Sequence, residues 1–462
     1  MRKKVLEPAI SKTFKEAMLV VKALGERYIW IDSLCIIQDS PNRSDWFEES
    51  TKMHAIYANA FCNISATGAV DGRDGCFFDR SPLLVRPLRI KIAGGEDLPP
   101  GTYLCVDCDI WSGNIDNAPL TRRAWVVQER LLSRRVIHFS QRQIFWECRE
   151  RQTCEIFPHG VPPQLQQSHE AMFKGIDPDI EGARARERRG RVSHPELNVY
   201  ELWNSIVEAY TQASLTMEDD KFVAIMGLAQ RIQELLERRY FAGLWEKYLA
   251  DQLLWSPARS RGMVKPQKYI APSWSWASFV VPITSPCLIR DTTDDNTLIQ
   301  IVDLDVQTIN DHPLSQVTSG SLRLRGSLVR GRIWKEISDG GRLGELTTVK
   351  YDIYDNGKLE QVDYIPNLDV SDPPGSVYVL PVKSITYETN GGLRARGLLL
   401  QLTGQCIREF RRVGTFQVRD LRVQNAHTQY VPLVDGDPLS ADDIWLDGFK
   451  LDGKTLDTLT IV

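Results

Sequence analysis

The period of the hydrophobic residues changes along this chain of 462 residues, and the change limits the folds that it can adopt. Up to about residue 255, apolar residues recur with helical spacing, interrupted by short apolar runs that are typical of buried strands. From about residue 300 they alternate with polar residues, as in "SLRLR" (321–325) and "SVYVL" (376–380). The pattern predicts an α/β region, then a helical segment, then a β-rich carboxy-terminal region.

The amino-terminal region is predicted to begin with a helix. The apolar residues with helical spacing are Phe14, Ala17, Met18, Val21 and Leu24. Thr13 and Glu16 fit a capping box at the start of this helix, and Gly25 can end it. A second helix is predicted to be capped by Asp45 with Glu48.

Two strands are predicted around the second helix. Tyr28–Ile31 is a stiff apolar run, and residues 61–66 form a second run after the helix. Strand, helix and strand with short links predict a parallel pair. Residues 121–132 return to a helical pattern, and 135–139 and 143–148 indicate two strands joined by a short polar turn. The expected architecture is a mostly parallel sheet flanked by helices.

The composition is that of an ordinary globular protein, with 42% hydrophobic and 25% charged residues. A net charge of -4 gives no positive field for nucleic acid, so no nucleic-acid partner is predicted. No apolar run reaches the roughly 18 residues of a membrane-spanning helix. Nine scattered cysteines favour free thiols and a reducing compartment, so we predict a cytoplasmic location.

Asp32 directly follows the predicted strand Tyr28–Ile31. In open α/β sheets ligands bind beyond the carboxyl ends of the strands, where an acid can bind a ribose hydroxyl or act as a base. Asp32 could instead only cap the following turn. Cys35 could be a nucleophile if a base such as His54 lies within reach, or it could be an inert thiol.

The stretch "RRAWVVQER" (122–130) is the second dense group of polar and aromatic residues. Trp125 and Glu129 are four residues apart and share one face of a helix. An aromatic ring beside a carboxylate suits a planar or cationic ligand such as nicotinamide. The alternative is a core tryptophan with a glutamate paired to Arg122 or Arg130.

Other motifs are less specific. Cys105 and Cys108 form a CxxC pair without a matching second pair of ligands, so no metal site is predicted. The chain has no Walker A loop, GxGxxG, HExxH or GxSxG motif. In "APSWSWAS" (271–278), period two would put both indoles on one face of a strand, either in a core or as a binding platform.

Several blocks together resemble the fungal heterokaryon incompatibility (HET) domain family. The blocks are "LGERYIWIDSLCIIQDS" (24–40), "DWFEESTKMHAIYANAFCNISAT" (45–67), "RRAWVVQERLLSRRVIHF" (122–139) and "FWEC" (145–148). Downstream, "LTMEDDKFVAIMGLA", "YFAGLWEKYLADQLLW" and "APSWSWAS" look like the region that follows the domain in large HET proteins. The blocks occur in the family's order between about residues 6 and 280.

The resemblance implies a role in self/non-self recognition and regulated cell death. It also implies a remote, TIR-like kinship, and some TIR domains cleave NAD. By position, three groups of residues match the family's blocks: Asp32, Cys35 and Gln38; Glu49, Met53 and Tyr57; and Trp125, Gln128 and Glu129. HET domains usually open with a strand and loop of the type "YxxLSYxWG", which does not precede Val5–Pro8 here, so we expect an open sheet edge and one loop fewer at the ligand end.

These observations give the following predictions. Glu129 and Asp32 are the candidate catalytic residues, and the candidate ligand-binding residues are Trp125, Gln128, Gln38, Cys35 and Glu49. If the protein is an enzyme, it is a NAD glycohydrolase that uses NAD as substrate and needs no cofactor. The alternatives are a non-enzymatic scaffold that self-associates or binds a protein partner, and a biosynthetic-cluster enzyme that reuses the fold.

The predicted domain organisation has four segments. They are a HET-like α/β domain (1–157), a polar linker or insertion (158–198), a helical segment (199–280) and a β-rich domain (281–462).

Overall fold

The structure is a computed structural model, and its described residues form two compact units. They are residues 10–41, 44–94, 99–162, 165, 176, 195–258, 266–285, 296–309, 312–332, 334–337, 349–355, 358–368, 376–386, 393–418, 429–432 and 457–462. The first unit spans Met1–Thr216 with Val223–Leu235, and the second spans Met217–Phe222 with Leu236–Val462. Residues 5–8 and most of the predicted linker, 166–175 and 177–194, lie outside the described residues. The four predicted segments stay a prediction.

The first unit contains both helices and strands. Its helices are α1 (Lys12–Ala23), α2 (Asp32–Cys35), α3 (Ser44–Asn59), α4 (Ala124–Leu132), α5 (Pro195–Gln212) and α6 (Met226–Leu236). Its strands are β1 (Asn63–Ser65), β2 (Leu88–Ile92), β3 (Gly101–Cys105), β4 (Arg135–Phe139), β5 (Ile144–Cys148) and β6 (Gln152–Cys154). Among the described residues, no helix combines the length and the apolar character that crossing a bilayer requires.

The central sheet of this unit is mixed, with the strand order β1–β4–β5–β6. β1 and β4 are parallel, whereas β4–β5 and β5–β6 are antiparallel. The mostly parallel sheet that we expected is therefore not confirmed. The reason is the short turn 140–143, because antiparallel strands can be joined by a tight hairpin whereas parallel strands need a long crossover.

The predicted strand Tyr28–Ile31 is wrong. Residues 26–31 form no ladder with another described strand, although Ile31 is extended, and Tyr28 is 83% exposed. An apolar run satisfies its backbone groups as a strand only when a neighbour pairs with it. The second predicted strand is confirmed as β1, which pairs with β4 rather than with this segment.

The predicted carboxy-terminal end of helix α1 is confirmed, but the predicted capping box at its amino-terminal end is wrong. Ser11 caps the helix, because its Oγ accepts the Phe14 N–H at 3.3 Å. The Glu16 carboxylate instead accepts the N–H groups of Cys76 at 2.6 Å and Phe77 at 2.8 Å, so the Thr13–Glu16 capping box does not form. Gly25 has φ +78°, as required for the residue that follows a helix in a Schellman motif.

The sheet is packed on both of its faces. One cluster joins α1 to the sheet through Val20, Cys76 and Phe139. A second cluster contains Ile110, Trp111, Ile115, Phe145, Cys154 and Val161. Helix α5 packs through one apolar face, since Leu202, Ile206, Val207 and Tyr210 are all buried.

The second unit is rich in strands, as predicted. Its described residues include a short α-helix, α7 (Leu249–Gln252). They also include the strand pairs β7 (Tyr240–Phe241) with β8 (Leu244–Trp245) and β9 (Ser256–Pro257) with β10 (Ile283–Thr284). The remaining strands are β11 (Gln300–Thr308), β12 (Val317–Gly326), β13 (Val329–Arg332), β14 (Trp334–Ile337), β15 (Val349–Asp355), β16 (Lys358–Leu368), β17 (Ser376–Thr386), β18 (Leu393–Leu402), β19 (Glu409–Val418), β20 (Gln429–Pro432) and β21 (Asp457–Ile461).

The "APSWSWAS" segment forms turns in the core of the second unit rather than a strand. Trp274 and Trp276 are 0% and 2% exposed, which confirms the core interpretation of this motif. The Trp276 indole donates to the Gly243 carbonyl at 2.9 Å, and the Trp274 carbonyl accepts the Trp255 indole N–H at 2.9 Å. Ser275, between the two indoles, accepts the Ala277 N–H at 3.0 Å and donates to the Ala242 carbonyl, so its hydroxyl satisfies backbone groups that a β ladder would otherwise satisfy.

Candidate functional site

Three helices of the first unit bring Asp32, Tyr57 and Glu129 together. Asp32 opens α2, Tyr57 lies in the last turns of α3, and Glu129 lies in α4. The Tyr57 hydroxyl donates a hydrogen bond to the Glu129 carboxylate, and the charge of Asp32 acts on both groups. We call these three residues the acid cluster.

The local sequence fixes the position of Asp32. Ile31 is extended, and Asp32 begins a single helical turn in which its carbonyl accepts the Ile36 N–H at 2.8 Å. Its carboxylate Oδ1 also accepts the Ser33 N–H at 2.7 Å. The residue therefore caps its own turn, which was the alternative interpretation, and also faces Glu129. Asp32 can cap its turn and interact with a second group at the same time, because a carboxylate has about four lone-pair positions.

The electrostatics of the cluster favour a protonated Glu129. Burial and the neighbouring charge of Asp32 raise the pKa of Glu129 to about 7, although the Tyr57 hydrogen bond and the charge of Arg123 lower it. Burial and the charges of Glu129 and Asp32 also raise the pKa of Tyr57 well above its ordinary value. Near neutral pH, Glu129 can therefore both accept and release a proton, while Tyr57 stays a neutral hydrogen-bond donor.

Aromatic rings stand next to this cluster. Trp125 lies in α4, and its ring meets that of Trp46 edge-on at a centroid distance of 5.9 Å. The rings of Trp30 and Tyr57 meet edge-on at 5.7 Å. All four side chains are partly buried. They form two apolar contacts between α4, α3 and the extended segment before α2.

Gln128 and Glu49 have partners outside the acid cluster. The Gln128 side chain is buried, and its Oε1 accepts the Gly227 N–H at 2.7 Å. Glu49 forms an ion pair with Lys52 at 2.9 Å on α3. The side-chain oxygens of Gln128 and Glu49 that could bind a ligand are therefore already engaged with these partners.

The remaining predicted residues are exposed. Cys35 is a free, exposed thiol. Gln38 is also exposed, and its Nε2 donates to the Ile36 carbonyl at 3.2 Å. His54, the base that we considered for Cys35, is 2.7 Å from the Thr51 carbonyl through Nδ1. No contact between His54 and Cys35 occurs in the described part of the chain.

Sequence reasoning did not select Tyr57 and Arg123 as site residues. Tyr57 matches one of the family's blocks, together with Met53 four residues earlier, but was not among the candidate site residues. Its hydroxyl is the distinguishing feature, because a partly buried tyrosine needs a polar partner. Arg123 immediately precedes α4, and its charge lowers the pKa of Glu129.

A second group of polar side chains is buried directly behind Glu129. Arg130 donates to the Glu147 carboxylate through Nε at 2.9 Å and Nη2 at 3.2 Å, and to Asp116 through Nη1 at 2.9 Å. His138 lies between Glu147, 3.1 Å from Nε2, and Thr67, 3.0 Å from Nδ1. We call these residues the ionic network. Its hydrogen bonds offset the desolvation of the charges and fix α4 against the sheet.

One surface group could offer metal ligands. The ligand atoms of Asp107, Cys108 and Asp109 all lie within 4.8 Å of one another, and the three residues are exposed. Exposed acidic groups commonly lie this close together without binding an ion.

The fold and the cluster define a mixed α/β domain with two acids and a tyrosine at the meeting point of three helices. Residues 3–129 match the sequence model of the family described as "Heterokaryon incompatibility protein (HET)", and the chain therefore contains a HET domain in this range. The matched range includes Asp32, Tyr57 and Glu129. The family resemblance that we predicted from the sequence blocks is confirmed for these residues.

Two other comparisons gave no match. No curated protein matches the chain. No solved structure matches it either.

Proposed function

We propose that this HET domain is an effector of heterokaryon incompatibility that causes regulated cell death in a fungal cytoplasm by hydrolysing NAD. The observation that carries the proposal is the acid cluster, in which Asp32 and Glu129 interact and Tyr57 donates to Glu129. A TIR-like reaction needs such a cluster, because its transition state develops positive charge on the ribose.

The proposed reaction breaks the bond between nicotinamide and the ribose C1′. Nicotinamide leaves with the bonding electron pair, and an oxocarbenium-like centre forms at C1′. A preorganised carboxylate stabilises this charge more than it stabilises neutral substrate, so it lowers the barrier. Water then adds to C1′ and releases a proton. The products are nicotinamide, ADP-ribose and one proton.

The two acids divide this work according to their environments. Asp32 provides the negative charge near C1′. Glu129, with its pKa of about 7, accepts the proton of the attacking water. Two acids in one site commonly divide the electrostatic and acid–base roles in this way. Trp125 borders the nicotinamide ring, and Trp46 supports Trp125 from the side.

The other predicted ligand-binding residues have different positions in this proposal. Cys35 and Gln38 are exposed just after Asp32 and contact the remainder of the substrate. Gln128 acts through its hydrogen bond to Gly227 and holds α4 in place. Glu49 must release Lys52 before it can contact a ligand.

The test is nicotinamide release from NAD by the purified chain, at low concentration and under conditions that promote self-association. We expect Glu129→Gln and Asp32→Asn each to reduce release at least about 100-fold, the usual contribution of a general base or an electrostatic stabiliser. Glu48→Gln, on the exposed side of α3, is the matched control and retains full activity. Release by the wild-type chain that does not exceed that of an Asp32→Ala, Glu129→Ala double variant rules out hydrolysis at this site.

A second candidate function is signalling by self-association or partner binding without catalysis. The observation that favours it is the edge strand β1, whose outer side has no partner strand among the described residues. A free edge can accept a strand from another chain. Light scattering over a concentration series tests this function, and a monomer at all concentrations that captures no partner counts against it.

A further inference from the structure

The second unit contains a large groove that the proposed NAD hydrolysis does not use. Its volume is about 820 Å³. The floor includes Ser273 and Ser278 of the "APSWSWAS" segment, and the walls come from β12, β18 and β19. Small-molecule sites typically have volumes of about 300–1,000 Å³, so the groove can hold a ligand much larger than a single ion.

One cation of the groove lining is open to an anion. The charged residues of the lining are Lys268, Arg411, Arg412 and Asp305. Lys268 forms an ion pair with Asp219 at 2.9 Å, and the buried Arg412 donates to two backbone carbonyls. The Asp305 carboxylate accepts a hydrogen bond from the Gln307 amide at 2.8 Å. Arg411 therefore supplies the positive charge that attracts an anion to the groove.

Arg411 is held in place by a neutral partner. Its Nε and Nη2 donate to the Gln401 side-chain oxygen at 2.9 Å and 2.6 Å. No carboxylate lies within ion-pair distance of Arg411 in the described part of the chain. The amide therefore orients the planar guanidinium without neutralising it, and this arrangement suits the oxygens of a phosphate.

Hydroxyl groups and one aromatic ring complete the lining. Tyr269 is 53% exposed and lies next to Lys268 at the mouth. Ser319 and Ser321 of β12 add side-chain hydroxyls on one wall. Between them, Gly320 leaves space for Pro272, whose Cγ would lie 2.8 Å from an added Cβ. An open aromatic face suits a flat heterocycle, and hydroxyls suit a sugar.

We propose that this groove binds a phosphate-bearing nucleoside, with the phosphate on Arg411 and the base against Tyr269. The guanidinium of Arg411 binds the phosphate, the ring of Tyr269 stacks on the base, and the serine hydroxyls bind the ribose. The site lies wholly within the second unit and is separate from the acid cluster. It therefore gives the β-rich unit a ligand-sensing role of its own.

The test is isothermal titration of the full chain with ADP, adenosine and inorganic pyrophosphate. We expect ADP to bind with a Kd below about 1 mM, and adenosine and pyrophosphate each to bind at least about tenfold more weakly. Arg411→Gln should weaken ADP binding at least about tenfold, because a charge-assisted hydrogen bond is lost. Tyr269→Ala should weaken ADP and adenosine together.

Two control variants make the result specific. Arg239→Gln removes an exposed arginine of the same unit that pairs with Glu246 outside the groove, and it should bind ADP normally. Asp32→Asn with Glu129→Gln should also bind ADP normally, so the groove can fail or succeed independently of NAD hydrolysis. Absent ADP binding, equal binding of adenosine, or unchanged binding by Arg411→Gln would each overturn the proposal.

Discussion

The Gln128 side-chain oxygen accepts the backbone N–H of Gly227 at 2.7 Å, although the two residues are 99 positions apart in the chain. This bond ties α4 to the first turns of α6. It forms only because residue 227 has no side chain: an added Cβ would lie 2.3 Å from the His54 Cβ and 2.9 Å from the Gln128 Oε1. Three helices, α3, α4 and α6, meet at this one glycine.

The first prediction concerns this contact. Gly227→Ala forces His54 and Gln128 apart and should lower the free energy of unfolding of the first unit by about 1–3 kcal/mol, the usual cost of overpacking. Gly113→Ala is the matched control, because an added Cβ there meets no atom within 4 Å. Thermal unfolding measures both variants. Equal melting temperatures for the two variants would contradict the close packing around Gly227.

The second prediction concerns the stability cost of Glu129. Its pKa is 4.5 in an ordinary environment and about 7 in the folded protein, so the folded state holds the proton more tightly than the unfolded state. Stability should therefore fall as the pH rises from about 4.5 to 7 and stay low above pH 7. Glu129→Gln removes this penalty and should stabilise the first unit by up to about 3 kcal/mol at pH 8.

The control for this prediction is the same comparison of the two proteins at pH 4.5. At pH 4.5 Glu129 is protonated in the folded state and closely resembles glutamine, so the two proteins should then melt at nearly the same temperature. A gain for Glu129→Gln that is the same at both pH values would show that its cause is not ionisation.

The third prediction concerns Tyr57. Its hydrogen bond lowers the pKa of Glu129, so Tyr57→Phe should raise that pKa above about 7. The inflection in the pH dependence of nicotinamide release should move to higher pH by the same amount. Carbon-13 NMR titration of the Glu129 carboxyl measures the shift without relying on activity. Tyr103→Phe, which removes a hydroxyl bonded to the Pro99 carbonyl, should leave the titration unchanged.

The fourth prediction concerns the ionic network. Arg130→Met leaves the Glu147 and Asp116 carboxylates buried without their cation, and should cost about 3–5 kcal/mol of stability. Arg142→Met breaks an exposed pair with Asp107 at 3.5 Å and should change stability by less than about 1 kcal/mol. Urea unfolding compares the two variants. A small effect of Arg130→Met would show that water reaches the network.

The sequence predicted the elements whose pattern is local. The turn at Gly25 and the hairpin of β4 and β5 both follow from residues close together in the chain. The strand predicted at Tyr28–Ile31 does not form, because a strand needs a partner strand and the sequence of this segment does not show whether one is available. The capping box at Thr13 failed for a similar reason, since Glu16 reaches two backbone groups that lie 60 and 61 residues away.

The acid cluster was predictable only in part. Asp32 and Glu129 were selected because each stands beside apolar or aromatic residues in a dense motif. Tyr57 and Arg123 could not be selected, because their role depends on how α2, α3 and α4 meet. The partners of Gln128 and of Arg130 are likewise set by tertiary packing, which periodicity does not describe.

Glu129 and Arg130 are neighbours in α4 but serve different surroundings, the first in the acid cluster and the second in the ionic network. Successive residues of a helix point about 100° apart, so one inserted or deleted residue before them would turn both side chains out of their positions. An insertion would place the Glu129 carboxylate among the carboxylates of the ionic network, and a deletion would place the Arg130 guanidinium in the acid cluster. Natural variants of this domain should therefore tolerate substitutions along α4 but not changes in its length.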